Sequence, residues 1–281
     1  MANRFTALLY GASKSGKNVS ISTLLKAGQK VRLLAADPNA EVGIRMGFKH
    51  HKLTAEQIAN FAAVNLTLGS TGESDKALKN LKATTSSALR VTADAISKQM
   101  ADPNKKDKTQ LLKIVDAMES FKGSNGTDYG KITEWGNDTT LVFDGLTVLC
   151  RAAETTIVGD QLAKSQPNYQ ALQNLVKQYI LTLTNLNCNF VMLAHDDQLK
   201  DDTDGKMKIF PLSAGPSLSN WIPGNFGELI YSQRKVDKFV WCTRHMQAVC
   251  GGQLLQPLSD DLPQDFTPIV EALAELDRPL F

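Results

Sequence analysis

The chain has 281 residues, 42% of them hydrophobic, which is enough apolar material for one large α/β core and excludes a disordered tail protein. Its 31 Lys+Arg nearly balance 29 Asp+Glu for a formal charge of +2, so no global field marks a histone-like or polybasic membrane protein, and any DNA contact must come from a local patch. No apolar run approaches the roughly 18 residues of a membrane span, Met1 to Thr6 lacks the regions of a signal peptide, and four scattered cysteines read as reduced thiols, so an intracellular protein is expected.

Phe5 to Tyr10 is a short apolar run that stops at a glycine-rich stretch, Gly11 to Lys17, and reads as a buried strand feeding a loop. Val19, Ile21, Leu24 and Leu25 then recur at helical spacing, with Gly28 at the C-cap, and Val31 to Ala36 is a second strand ended by Asp37-Pro38-Asn39. Strand, helix and strand make a βαβ unit, whose ligands sit at the carboxyl ends of parallel strands. Thr54 to Gln57 fits a capping box opening a helix through about Ala63, followed by a strand over Val64 to Leu68.

Residues 74–121 favour helices broken near Pro103, with Leu78, Leu81, Leu89, Ile96, Leu111, Leu112, Val115 and Met118 as the apolar positions, and are expected to be a helical insertion. Its basic run, Lys105-Lys106-Asp107-Lys108, suits a solvated face. Gly123 to Gly136 is a loop anchored by Trp135, and Thr139 to Asp144 is the next strand. Pro167 to Leu186 carries Leu172, Leu175, Val176, Tyr179, Ile180 and Leu183 on one helical face. Asn189 to Ala194 is a strand ending at His195, Asp196 to Phe210 suits an exposed hairpin turning at Asp204-Gly205, Leu229 to Gln233 and Phe239 to Thr243 are the last strands, and Phe266 to Leu276 a closing helix. The simplest partition is one domain, 1–281, with the insertion inside it.

Gly11-Ala12-Ser13-Lys14-Ser15-Gly16-Lys17-Asn18 matches seven of the eight positions of the Walker A pattern G-x-x-x-x-G-K-[ST], between a predicted strand and a predicted helix that begins near Val19. Glycines admit close backbone approach, inward N–H groups at a helix N-terminus favour a polyphosphate, and Lys17 is placed to reach its β- and γ-phosphates. A dinucleotide fold is the rival reading, since Asp37 falls where a ribose-binding acid would, but G-x-G-x-x-G requires glycine where Ser13 stands. Asn18 replaces the hydroxyl residue that coordinates Mg²⁺, and its amide oxygen sits one atom further out, so binding is expected to survive better than hydrolysis.

Leu141-Val-Phe-Asp144 fits a Walker B strand that delivers a carboxylate to the metal, so Asn18 and Asp144 are the metal candidates. Asp37 and Glu41, after the second strand, are candidates for the general base, Asp37 being equally suited to cap the following turn. His195 is placed to sense a γ-phosphate. Cys242, His245 and Cys250 supply only three ligands of a zinc set and start inside a strand, which argues against zinc. Phe210 and Trp221 are candidates for stacking on bases or for the core.

The combination of Tyr10 to Lys17, Leu24-Leu-Lys-Ala-Gly28, Ala36-Asp-Pro38, Tyr129-Gly130 with Trp135-Gly136, Leu141-Val-Phe-Asp-Gly-Leu-Thr147, Leu193-Ala-His195, Leu218, Ile222-Pro223, Phe226, Phe239 to Thr243 and Leu262 to Phe266 resembles the phage-encoded RecA-like ATP-binding proteins, near the phage single-strand annealing recombinases. The resemblance covers nearly the whole chain. It implies an α/β fold with a RecA-like P-loop NTPase core, a mostly parallel central sheet flanked by helices, and ATP or ADP with Mg²⁺ as ligands. It implies a DNA-dependent ATPase of weak turnover in phage recombination or replication, in the cytoplasm of the infected bacterial host. Its partners are expected to be single-stranded DNA, a phage single-strand binding protein and further copies of itself, with no membrane. Lys17 and Gly16 would bind phosphate, Asp144 would serve Mg²⁺ and His195 would be the sensor. In such folds the segment after the sensor strand, here Asp196 to Asn225, faces DNA, although Asp196, Asp197, Asp201, Asp202 and Asp204 outnumber Lys200, Lys206 and Lys208 there. Arg234 and Arg244 are the candidate arginine fingers. The alternative is a nucleotide-binding structural or assembly protein that has lost hydrolysis.

Overall fold

The computed structural model describes residues 3–37, 39–66, 109–157, 165–200 and 205–276. Strands β1 (Thr6–Tyr10), β2 (Lys30–Ala35), β3 (Phe61–Asn65), β4 (Thr139–Asp144) and β5 (Asn189–Ala194) are continuous apolar runs, the pattern of strands buried on both faces. They join β8 (Glu228–Arg234), β9 (Phe239–Cys242) and β10 (Leu262–Pro263) in an eight-stranded sheet of order β10-β9-β8-β1-β5-β4-β2-β3. Every pairing from β8 to β3 is parallel, with Leu8 opposite both Met192 and Leu229 and Val142 opposite both Leu33 and Val191. Only β9 and β10 are antiparallel. A separate antiparallel hairpin, β6 (Asp196–Lys200) with β7 (Met207–Pro211), follows β5 directly.

Alternate residues of each strand enter opposite core layers. Ala7, Leu9, Leu33, Val142 and Val191 meet α1 (Lys17–Lys26), α2 (Ala40–His50) and α8 (Thr267–Leu276), with Phe48, Phe61, Trp241 and Phe266 filling that layer. Leu8, Tyr10, Leu141, Phe143, Phe190 and Met192 meet α4 (Thr109–Glu119), α5 (Leu146–Ile157), α6 (Gln166–Thr184) and the short α7 (Pro216–Trp221) on the other face. Helices on both faces of a mainly parallel sheet make this an α/β fold. Among the described residues no helix is long and apolar enough to cross a membrane.

Helix α1 closes as expected at Gly28, where Gly28 and Gln29 donate N–H bonds to Leu25 and Leu24 carbonyls in a Schellman pair. The capping box also forms: Thr54 Oγ1 accepts from Gln57 N, and Gln57 Oε1 accepts from Thr54 N. Its helix, α3 (Ala55–Ala59), is shorter than expected, because Phe61, Ala62 and Ala63 pair with β2 as strand β3 rather than continuing the helix. The strand expected over Val64 to Leu68 accordingly lies earlier, and Thr67 and Leu68 fall outside the described residues. Two helices that the sequence pattern did not assign, α2 and α5, follow β2 and β4 directly. Of the insertion expected over 74–121, residues 74–108, with the basic run, lie outside the described residues. Leu111, Ile114, Val115 and Met118 of α4 are buried in the main core. Trp135 anchors its loop as expected, donating from Nε1 to the Tyr129 carbonyl and packing against Phe121.

Candidate functional site

The carboxyl ends of β1, β2, β4 and β5 lie along one edge of the sheet and open into a cleft of about 730 Å³. Gly11 to Gly16 is the loop between β1 and α1. Gly16 sits at the N-cap of α1 with φ 94°, a left-handed conformation that suits glycine, and a side chain there would run into the Gln264 amide. At Gly11 a Cβ would collide with the Ser232 carbonyl, so β8 presses against the loop at its entrance. Ser13, Lys14, Ser15, Gly16, Lys17, Asn18 and Val19 line the cleft, which places most of the expected phosphate-binding stretch there. Gly11 and Ala12 stand behind it as Lys17's partners.

Lys17 is only 8% exposed. Its ammonium is folded back on the loop, donating to the Gly11 and Ala12 carbonyls at 2.7 and 2.8 Å and to Ser15 Oγ at 3.4 Å. Burial pushes its pKa down to about 8, opposed by the negative charges of Asp144 and Asp196. Asp144, at the end of β4, is pushed up to about 6 by burial and then by the nearby Asp37, against the pull of the Asn18 hydrogen bond and Lys17. Asn18 Nδ2 donates to Asp144 Oδ2 at 3.2 Å, so the two metal candidates are in contact. The amide satisfies one carboxylate oxygen and leaves Oδ1 as the Asn18 atom able to ligate a cation.

Asp37 lines the same cleft and accepts the Asn39 N–H at 2.8 Å, so it caps the turn into α2 while facing Asp144 electrostatically. Glu41 is not brought to the cleft. It lies in the first turn of α2, and Arg45, one turn on, holds its carboxylate at 2.7 Å. His195 is exposed at the cleft, and burial of its ring followed by the Lys17 charge lowers its pKa.

The hairpin is tied to this edge at two points. The Leu212 N–H donates to the His195 carbonyl at 2.7 Å, and Tyr10 Oη donates to the Val249 and Ile209 carbonyls at 2.7 and 3.3 Å. Its tip, residues 201–204, with Asp201, Asp202 and Asp204, lies outside the described residues. Phe210, a candidate for base stacking or for the core, is core at 5% exposure, because it alternates inward on β7. Trp221 is half-buried, with Lys177 Nζ 5.4 Å above its ring.

Neither candidate arginine finger reaches the cleft. Arg234 lies over the Phe239 ring at 5.8 Å, and Arg244 lines a separate groove with Lys206, Lys208 and His245. Among the described residues no group of three or more His, Cys, Asp or Glu side chains is arranged to hold a metal.

Three contributors escaped sequence reasoning. Gln264, after β10, donates from Nε2 to the Ser15 carbonyl and Ser232 Oγ, both at 2.8 Å, and to the Val240 carbonyl at 3.2 Å. Ser232 Oγ donates to the same Ser15 carbonyl at 2.9 Å. Nothing in their local sequence marks them, since they reach the loop from more than 200 residues away. Arg151 lines the cleft from α5, and the signal available for it was helical spacing from Thr147 and Val148. No protein-family model matches the chain, and no curated protein matches it either.

Proposed function

We propose that this protein binds ATP with Mg²⁺ in the cleft, as a RecA-like P-loop protein of phage origin acting on single-stranded DNA in recombination or replication in the host cytoplasm. The observation that carries the nucleotide reading is the convergence at one cleft of a left-handed Gly16 at the α1 N-terminus, a buried Lys17 and the Asn18–Asp144 pair. A helix N-terminus with a lysine behind it suits phosphate. Asp144, a carboxylate pushed up by burial and then by the nearby Asp37 charge, suits a divalent cation, which relieves that repulsion. A protein that supplies one carboxylate and an amide oxygen matches the habit of Mg²⁺, which completes its shell with water and phosphate oxygens.

The RecA-like reading is supported by strand order. β5 lies between the P-loop strand β1 and the strand that ends at Asp144, and His195 after it lines the cleft, an arrangement that suits a γ-phosphate sensor. Its carbonyl bond to Leu212 and the Tyr10 bonds give the sensor a mechanical route to the hairpin, the proposed DNA-facing element. With Phe210 buried, the hairpin's Lys200, Lys206 and Lys208 must supply most of that contact, so binding is weak and salt-sensitive. Fluorescence anisotropy with a labelled oligonucleotide at low and near-physiological salt tests this. Tighter binding with a non-hydrolysable ATP analogue supports the recombinase reading, and no binding at low salt in either state removes it.

A second reading, a nucleotide-holding assembly protein without turnover, is favoured by the Asn18 amide donating to Asp144 where a hydroxyl ligand would stand. Nucleotide recovered intact from purified protein distinguishes it.

A further inference from the structure

Helix α5 begins two residues after Asp144, so its N-terminal turn forms the wall of the cleft facing the phosphate loop. One side of α5, Leu146, Leu149, Cys150 and Ala153, is buried in the core. Thr147, Val148 and Arg151 lie on the other side, at i, i+1 and i+4, and all three line the cleft. Helical side chains lean toward the N-terminus of their own helix, which for Arg151 means toward Asp144 and the phosphate loop. Its charge is felt at His195, where it acts in the same direction as Lys17. No described residue forms a hydrogen bond or ion pair with its guanidinium, although two carboxylates, Asp37 and Asp144, line the same cleft.

We propose that Arg151, a cation of the cleft beside Lys14 and Lys17, is a ligand of the terminal phosphate of a bound nucleoside triphosphate, supplied in cis by α5. The inference rests on the nucleotide reading above. A polyphosphate laid along the α1 N-terminus has Lys17 on one side, and its far end points at the wall that carries Arg151. The planar guanidinium fork matches a phosphoryl group's oxygens two at a time. A diphosphate ends short of that wall. Arg151 therefore discriminates triphosphate from diphosphate, and charge developing on the transferred phosphoryl group falls within its reach. It fills the place left empty by Arg234 and Arg244, which point elsewhere.

The test is the ratio of affinities for a non-hydrolysable ATP analogue and for ADP, measured by titration calorimetry with Mg²⁺ on wild type, Arg151→Gln and Arg151→Lys. Arg151 is exposed, so neither substitution disturbs the core. The expected result is about a tenfold loss of triphosphate affinity in Arg151→Gln, the scale of one charge-assisted hydrogen bond, with ADP affinity held within about twofold and partial recovery in Arg151→Lys. An unchanged ratio in Arg151→Gln overturns the inference while leaving the nucleotide reading in place. A wild-type protein that binds neither nucleotide overturns both.

Discussion

Replacing Asp144 with Asn should make the ligand-free protein more stable while removing its capacity for metal. The carboxyl is held at about 6 against an ordinary 3.8, principally by burial and then by Asp37. A folded-state pKa above the unfolded value means that stability is greatest when the group is protonated and falls as pH rises from about 4 through 6. The difference of about two units corresponds to about 3 kcal/mol. Asp144→Asn keeps an oxygen that accepts from Asn18 Nδ2 and deletes the buried charge. Its advantage over wild type is therefore near zero at pH 4 and grows to as much as about 3 kcal/mol above pH 7. For a chain of this length that is a melting shift of about 5 °C. Urea denaturation at pH 4.5 and 7.5 without divalent cations measures it. A variant no more stable than wild type at pH 7.5, or one with the same advantage at both pH values, refutes the assignment of Asp144 as a strained, metal-ready carboxylate.

Asn18→Thr should raise turnover about tenfold, or about 1.4 kcal/mol of barrier, with little change in affinity, because it supplies a hydroxyl ligand without touching the loop's N–H groups; steady-state phosphate release at saturating Mg²⁺ checks this. Mg²⁺-nucleotide affinity should peak between about pH 6 and 8, falling on the acid side as Asp144 takes up a proton and on the alkaline side as Lys17 loses one; calorimetry across pH reads both limbs. Gln264→Ala should cost about 1 kcal/mol of stability by removing one of the two side-chain donors to the Ser15 carbonyl and the side-chain donor to Val240, and it should weaken nucleotide binding because the loop loses an anchor.

The parts of the fold that were legible in the sequence are those whose signal is local. β1, β2, β4 and β5 are apolar runs buried on both faces, and each ends in a residue whose chemistry stands out, Gly11, Asp37, Asp144 or His195. The same locality explains the errors. Thr54 and Gln57 announce a helix, but its end is set by β2, which recruits Phe61 to Asn65 through long-range pairing. Helix α2 is hidden in the sequence by Pro38, which reads as a breaker right after β2. Proline is nonetheless common at the first turn of a helix. The cleft was half legible: the loop, Asp144 and His195 follow from strand ends, whereas Gln264 and Ser232 depend on how β8 and β10 fold back onto the loop. Phe210 could not be placed without knowing which face of the hairpin meets the core.

Lys17 and its loop are proposed to hold a nucleoside polyphosphate. Titration calorimetry of wild type and Lys17→Ala with a non-hydrolysable ATP analogue and Mg²⁺ tests it most directly. No other side chain of the loop offers a buried positive charge, so saturable binding by wild type and loss of measurable binding in the variant are expected. Equal affinity in the two proteins, or no heat in either, contradicts it.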